Sequence, residues 1–272
     1  MNETKEKTLF DLVSDIWDAK FPMLFFGAMF LIGAFIFHSL AQPFYRAEMI
    51  LSPVVPITGM VDIKPTQHEG TIAAGRGVVT NDLTFLRFEN SFHGATIAKS
   101  LLQYKDVRDA LAFDRAFEFS DSQKSWTPEK LSTYLKDRVT IEPVSGTPLR
   151  RMVYYHPDSE FAKRLLGLIH HVADSQIRQS VMRDVQERVG YLMTSIEKTT
   201  QKEQRRVLTD ILMAQERLRM FVSLDQPFAA AIVEPPSVSE NPSWPDPYLI
   251  YPISLLSGFL LGFIFYGFKR HG

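Results

Sequence analysis

Two uncharged runs, one near each end, constrain this chain more than any other feature. Pro22 to Ala41 reads PMLFFGAMFLIGAFIFHSLA, and Tyr248 to Phe268 reads YLIYPISLLSGFLLGFIFYGF; neither holds an Asp, Glu, Lys or Arg. Twenty residues of helix extend about 30 Å, the thickness of a bilayer's hydrocarbon core. The spacing predicts transmembrane helices over 22–42 and 248–268. The first run also has the look of a secretory leader, with Ser39 to Ala41 as a cleavage site. Against that, the segment ahead of it is long and nearly charge-balanced, and the run exceeds a usual leader core.

Cations set the expected orientation. No Lys or Arg lies between Met220 and Phe268, and Lys269 and Arg270 follow the second run directly. The positive-inside rule then places 269–272 in the cytoplasm, and two crossings place 1–21 there too. Residues 43–247 become one extracytoplasmic domain. Trp17 and Phe21, Phe44 and Tyr45, then Trp244, Tyr248 and Tyr251 fall where interfacial aromatic belts belong.

Composition removes several function classes. The net charge of −1 gives no basic field for nucleic acid, and the absence of cysteine excludes disulfides and thiolate metal sites. GTIAAGRG at Gly70 to Gly77 lacks the Gly-Lys-Ser/Thr that grips phosphates. No HExxH or GxSxG motif occurs, and no carboxylate pair stands out. His170 and His171 are adjacent, so they point to different helix faces and make a poor metal pair. The expectation is a non-enzymatic protein with no catalytic residue, cofactor or metal.

The middle reads as α+β. YRAEMILSP alternates with the period of a strand. Residues 53–80 carry no strong period and are expected to be loop. NDLTFLRFENSFHGATIAKSLL is expected to be helical, with a break near Gly94. In TPEKLSTYLKDR, Thr127 is placed as N-cap and Pro128 as the first helical residue. VTIEPVSGTPLRRMVYYHPDS predicts two strands around a Ser145–Gly146 turn. From an Asp158 cap to about Ser223 the chain is expected to be helical. Val185, Val189, Leu192 and Ile196, then Val207, Ile211, Ala214, Leu218 and Phe221, form a thin apolar stripe. From Val172 to Ser223 such a helix would extend about 78 Å if continuous. A helix that long and that thinly apolar must stand clear of the membrane or pack on neighbouring copies. FAAAIVEPP is expected to be the last strand. The fold class is therefore an α+β periplasmic domain with a long extended helix, flanked by two transmembrane helices.

Three stretches together resemble the Wzz-type polysaccharide co-polymerases, the bacterial chain-length determinants. One is the first span followed by PFYRAEMILSP. Another is VTIEPVSGTPLRRMVYYHPDSEFAKRLLGLIHHVAD, similar to the family's strand–strand–helix block, with Ala162 in the first helical turn. The third is AAAIVEPPSVSENPSWPDP running into the last span. The resemblance covers nearly the whole chain. It implies an inner-membrane homo-oligomer that sets the length of O-antigen or exo- or capsular polysaccharide. Its partners would be a separate polymerase and a growing lipid-linked glycan. The family's proline segment usually carries a lysine after its last proline, whereas Asp246 stands here between Pro245 and Pro247. A different class is an inner-membrane export component, or the membrane activator of a separately encoded tyrosine kinase. With a tail of four residues, no fused kinase is expected.

Four sets of residues stand out. Pro235, Pro236, Pro242, Pro245 and Pro247, with Pro252 inside the second run, lock φ and withhold donors. They would stiffen the return to the membrane or serve as an ordinary linker; in the family this segment and the second span are implicated in length control. Ser254, Gly258 and Gly262 lie four apart, a small-residue face that suits close contact with the first span or a neighbouring copy. Arg150, Arg151, Arg205 and Arg206 are candidates to meet acidic sugars or lipid pyrophosphate, or are plain solvated surface. His38, the one histidine inside a run, sits near its outer end, where an interfacial histidine belongs.

Overall fold

The computed structural model describes residues 17–54, 76–111, 114 and 126–271, with side chains outside 76–82 and 269–271. Most of the expected 53–80 loop and the N-terminal lysines Lys5 and Lys7 fall outside the described residues. The chain divides into two compact units. One holds the terminal helices, α1 (Lys20–Leu40) and α8 (Pro247–His271). The other is α+β and runs β1 (Tyr45–Ser52), α2 (Arg76–Ser91), α3 (Ala95–Leu101), α4 (Lys105–Leu111), α5 (Pro128–Arg138), β2 (Val139–Pro143), β3 (Arg150–His156), α6 (Ser159–Lys198), α7 (Lys202–Ser223) and β4 (Ala231–Val238). The expected α+β class with a long helix and two apolar terminal helices is the fold observed. Both terminal helices are long and apolar enough to cross a membrane.

The sheet has order β2-β3-β1-β4, and every neighbouring pair is antiparallel. Alternation in β1 turns Ala47, Met49 and Leu51 to one face, where all three are fully buried. That face meets the first half of α6, whose Phe161, Ala162, Leu165, Leu166, Ile169 and Ala173 complete the core. Burying a Leu or Phe side chain contributes about 1.5–3 kcal/mol, so this seam is the main source of cohesion. The β2–β3 connection turns at Gly146, whose φ of +75° suits glycine best. The Val144 N–H donates to the Leu149 carbonyl across it.

Local caps explain where the helices begin. The Lys130 N–H donates to Thr127 Oγ1 at 3.3 Å, with Pro128 at the first helical position. The Phe161 N–H donates to Asp158 Oδ1 at 3.0 Å, opening α6. The helix expected to break near Gly94 does so, between α2 and α3. It starts at Arg76, ahead of the expected residue 81.

The long helix is where the structure differs most. Helicity runs from Ser159 to Ser223 as expected, but not as one rod: Thr199 to Gln201 interrupt it, and α7 folds back along α6. The 40 residues of α6 extend about 60 Å. Folding back gives the apolar stripe a partner within the chain. Val185, Val189 and Leu192 are buried within the one chain, where packing on neighbouring copies was expected, and Leu218 and Phe221 are half-buried. Val207 and Ile211, placed in the same stripe, stay exposed at 58% and 44%. The break rotates α7, so Leu208, Leu212 and Val222 turn inward in their place.

Under α5 and β3 lies a buried polar chain with no local signal in the sequence. The Tyr134 hydroxyl donates to Asp114 Oδ2 at 2.7 Å, and its oxygen lies 2.7 Å from the Tyr154 hydroxyl. Tyr134 has spent its proton on Asp114, so Tyr154 is the donor between the two phenols. Arg138 supplies a cation 3.5 Å from the same carboxylate oxygen. Burial, the main cause, holds both phenols above their ordinary range. Tyr154 stacks on His156, whose Nδ1 accepts the Asp158 N–H at 3.0 Å. His156 is fully buried, and this bond requires the neutral ring with its proton on Nε2.

Burial lowers the His156 pKa below its ordinary 6.5, against the opposing pull of Asp114. Well above pH 6.5 neither folded nor unfolded chain protonates this ring. Below it, the unfolded chain takes up a proton that the fold refuses, so stability is lost as pH falls. His93, also lowered by burial and then by Lys136, adds the same sign. The melting temperature of the detergent-purified protein is therefore expected to fall between pH 7 and pH 5.5. His156→Asn should melt lower at pH 7.5 and show a shallower fall. An unchanged slope in that variant would remove His156 as its source.

Candidate functional site

The terminal helices pair antiparallel, and the pairing is built from absent side chains. A Cβ on Gly258 would lie 2.7 Å from the Gly27 Cα and from the Phe26 carbonyl oxygen. One turn on, a Cβ on Gly262 would lie 2.5 Å from the Met23 Cα and 2.7 Å from the Pro22 carbonyl oxygen. Both positions touch backbone, so only glycine fits. Gly27 in turn receives the ring of Phe259. Ser254 is half-buried one turn earlier on the same face. Of the two contacts open to this small-residue face, the structure has the first span of the same chain. Phe26 and Phe265 meet beyond it, ring centroids 5.5 Å apart. Without a hydrophobic effect in lipid, such close backbone approach is what holds helices together.

At the other end of the pair an aromatic collar closes the two helices. Trp244 packs edge-on against Phe37 at 5.9 Å and Phe44 at 5.7 Å. The backbones of Phe44 and Trp244 form a two-bond bridge: the Phe44 N–H donates to the Trp244 carbonyl at 2.8 Å, and the Ser243 N–H to the Phe44 carbonyl at 2.7 Å. His38 faces Tyr251 at 6.0 Å just inside this collar. At the opposite end Lys20 lies over the Trp17 and Phe21 rings.

The prolines divide between the two units. Pro235 and Pro236 lie inside β4, not in a linker. There the pairing with β1 shifts register between Glu48 and Ile50, opposite Ser237 and Glu234. An edge strand with a bulge is where a sheet tolerates residues without an N–H. Pro242, Pro245 and Pro247 form the return to α8, and Pro252 lies within that helix. Asp246 has a structural use: its Oδ1 accepts the Tyr248 N–H at 2.9 Å and its carbonyl accepts the Ile250 N–H at 3.0 Å. It caps α8 ahead of Pro247 at the first helical position.

The four arginines are not brought together. Arg150 donates to Glu89 Oε1 at 2.6 Å. Arg151 lies 3.7 Å from Glu48, which Arg46 also approaches at 3.0 Å. Arg205 and Arg206 are exposed near the start of α7 and make no ion pair among the described residues.

Sequence reasoning missed a clamp on α6. His170, Asp174 and Arg178 follow at steps of four, on one face. The His170 ring N–H donates to the Ala230 carbonyl at 2.8 Å. Asp174 Oδ1 accepts the Phe228 and Ala229 N–H groups at 2.8 and 2.7 Å, and its Oδ2 pairs with Arg178 at 3.2 Å. Arg178 also donates to the Leu224 and Gln226 carbonyls. Together they fix the loop from α7 to β4. The regular spacing was the available signal, but it does not say which chain segment the face meets.

Two terminal apolar helices on either side, in sequence, of one α+β unit with a long helix match the fold of a solved polysaccharide co-polymerase. Among solved structures the chain is similar to a full-length bacterial polysaccharide co-polymerase, at 13% identity and a TM-score of 0.50, with 97% of this chain and 98% of that one covered. At that identity the likeness is one of fold. No protein-family profile matches the sequence. No curated protein sequence matches it.

Proposed function

We propose that this protein is a non-enzymatic polysaccharide co-polymerase of a bacterial inner membrane. Its termini face the cytoplasm and residues 43–247 the periplasm. Copies assemble into a homo-oligomer that serves as a scaffold for a separate polymerase and its lipid-linked glycan, and so sets the length of O-antigen or exo- or capsular polysaccharide. The observation that carries this reading is the end-to-end match of fold: both spans and the whole middle align with a co-polymerase, with almost nothing left over on either chain. The glycine-lined span pair and the collar support it, because a scaffold needs a rigid base and these contacts fix one. The proline-rich return from Pro242 to Pro247 would hold that base to the length-setting domain, and Arg205 and Arg206 remain free to meet acidic glycan or pyrophosphate.

Deleting the gene and resolving the surface polysaccharide by electrophoresis tests this. The modal length should be lost and should return on complementation. A distribution identical to the parent would overturn the reading. Reporter fusions within 126–240 should score as periplasmic, and the detergent-purified protein should have the mass of a multimer.

A further inference from the structure

Where the middle of α6 meets the last turn of α7 lies an open hollow of about 430 Å³, lined by Arg178, Gln179, Met182, Arg183, Val222 and Ser223. It is separate from the span pair and from the four arginines singled out in the sequence. Its size falls within the roughly 300–1,000 Å³ of small-molecule sites, and its wall is mostly apolar with a few polar groups, as such sites are.

The charges in it are unequal in freedom. Arg178 is spent: Asp174 balances its charge, and the Leu224 and Gln226 carbonyls hold it in place. Arg183 is exposed and makes no ion pair among the described residues. The hollow therefore presents one uncompensated positive charge on a fixed frame. Ser223 donates its hydroxyl proton to the Met220 carbonyl, which leaves its oxygen as an acceptor. Gln179, one turn from Arg183 on the same face, offers both a donor and an acceptor. Met182 and Val222 supply an apolar wall between these groups.

We propose that this hollow binds a uronic acid residue of the polymer. The carboxylate would take the Arg183 guanidinium as a two-point ion pair. Ring hydroxyls would exchange hydrogen bonds with Gln179 and Ser223, and the C–H face of the sugar would lie on Met182 and Val222. A single net positive charge matches a uronate better than a pyrophosphate, and the apolar wall gives a bare inorganic anion nothing to rest on.

The inference deepens the co-polymerase reading and rests on it for biological meaning, but the binding is testable alone. The probe is free glucuronate, added to the full-length protein in detergent and followed by ligand-observed NMR, with glucose and inorganic phosphate as comparisons. A ligand this small should bind with a dissociation constant on the order of millimolar. Arg183→Gln should weaken it about tenfold or more with an unchanged melting temperature, and Ser223→Phe, which fills the hollow and keeps the charge, should also abolish it. Equal binding of glucose would overturn the role of Arg183. Phosphate binding as well as glucuronate would reduce the site to a general anion site and overturn the sugar assignment. Loss of the multimer in Arg183→Gln would mark the arginine as a contact between copies and overturn it too. If glucuronate fails to bind while gene deletion still alters polysaccharide length, only this inference falls. If glucuronate binds and deletion alters nothing, only the co-polymerase reading falls.

Discussion

Replacing Asp174 with alanine is expected to destabilise the α+β unit by about 3–5 kcal/mol, the range for breaking a buried, hydrogen-bonded ion pair by removing one member. The carboxylate is 8% exposed and accepts two backbone N–H groups from Phe228 and Ala229 besides pairing with Arg178. Its loss orphans both donors in the core and leaves Arg178 held only by carbonyls. Hydrogen bonds to a charged group contribute about 1.5–3 kcal/mol each, so two of them alone reach the lower bound. For a unit of this size the melting temperature should drop by about 6–20 °C. Asp174→Asn keeps the shape and one acceptor oxygen, so its loss should be roughly half as large. The measurement is thermal unfolding in detergent at pH 7.5. A shift under about 2 °C for the alanine variant would show that the loop from Leu224 to Ala230 is held by its apolar contacts alone. Phe228, Ala229 and Ala230 are all buried, so that rival is physically real.

This clamp also marks the limit of what could be read from the chain. Elements with a local cause were legible. Thr127 and Asp158 start helices because a side-chain oxygen and the next N–H groups are neighbours in sequence, and Gly146 turns a hairpin for the same kind of reason. The period-two pattern of β1 gave its buried face residue by residue. The two spans follow from length and the absence of charge. What failed lacked a local signal. Helices α6 and α7 part at Thr199–Thr200–Gln201, with no Gly or Pro to announce it; the C-cap simply turns to an extended conformation, and Gln201 makes no side-chain cap. Once the chain folds back, which side of α7 faces inward depends on α6, so Val207 and Ile211 could not be told from Leu208 and Leu212. Pro235 and Pro236 read as linker because prolines suit a stiff return, yet the edge position of β4 accepts them equally well. The site was legible at Gly258 and Gly262, where residue type alone permits close approach. It was not legible at Trp244, whose partners Phe37 and Phe44 lie some two hundred positions away.

Gly262→Leu is expected to open the span pair. Its Cβ would lie 2.5 Å from the Met23 Cα and 2.8 Å from the Met23 nitrogen, backbone atoms that cannot swing aside. Gly258→Leu would meet Gly27 in the same way, at 2.7 Å. Overpacking costs about 1–3 kcal/mol even in soluble cores, where side chains can yield, and that range corresponds to roughly a 5- to 150-fold loss of the closed pair. The chain contains no cysteine, which makes the test direct. Phe26→Cys with Phe265→Cys replaces two rings whose centroids are 5.5 Å apart. The rings themselves span most of the gap between their Cα atoms, so a short bifunctional thiol reagent rather than a direct disulfide should join the cysteines within one chain, giving a product of monomer mass. Adding Gly262→Leu should slow that reaction about tenfold or more. Gly33→Leu and Gly267→Leu should leave it unchanged, because a Cβ at either position meets nothing within 4 Å. Product of dimer mass would place the glycine seam between copies, and an undiminished rate in Gly262→Leu would show that the helices pair by another face. The control pair separates these outcomes from general damage to insertion, since all four glycines lie in apolar helix and differ only in what stands opposite.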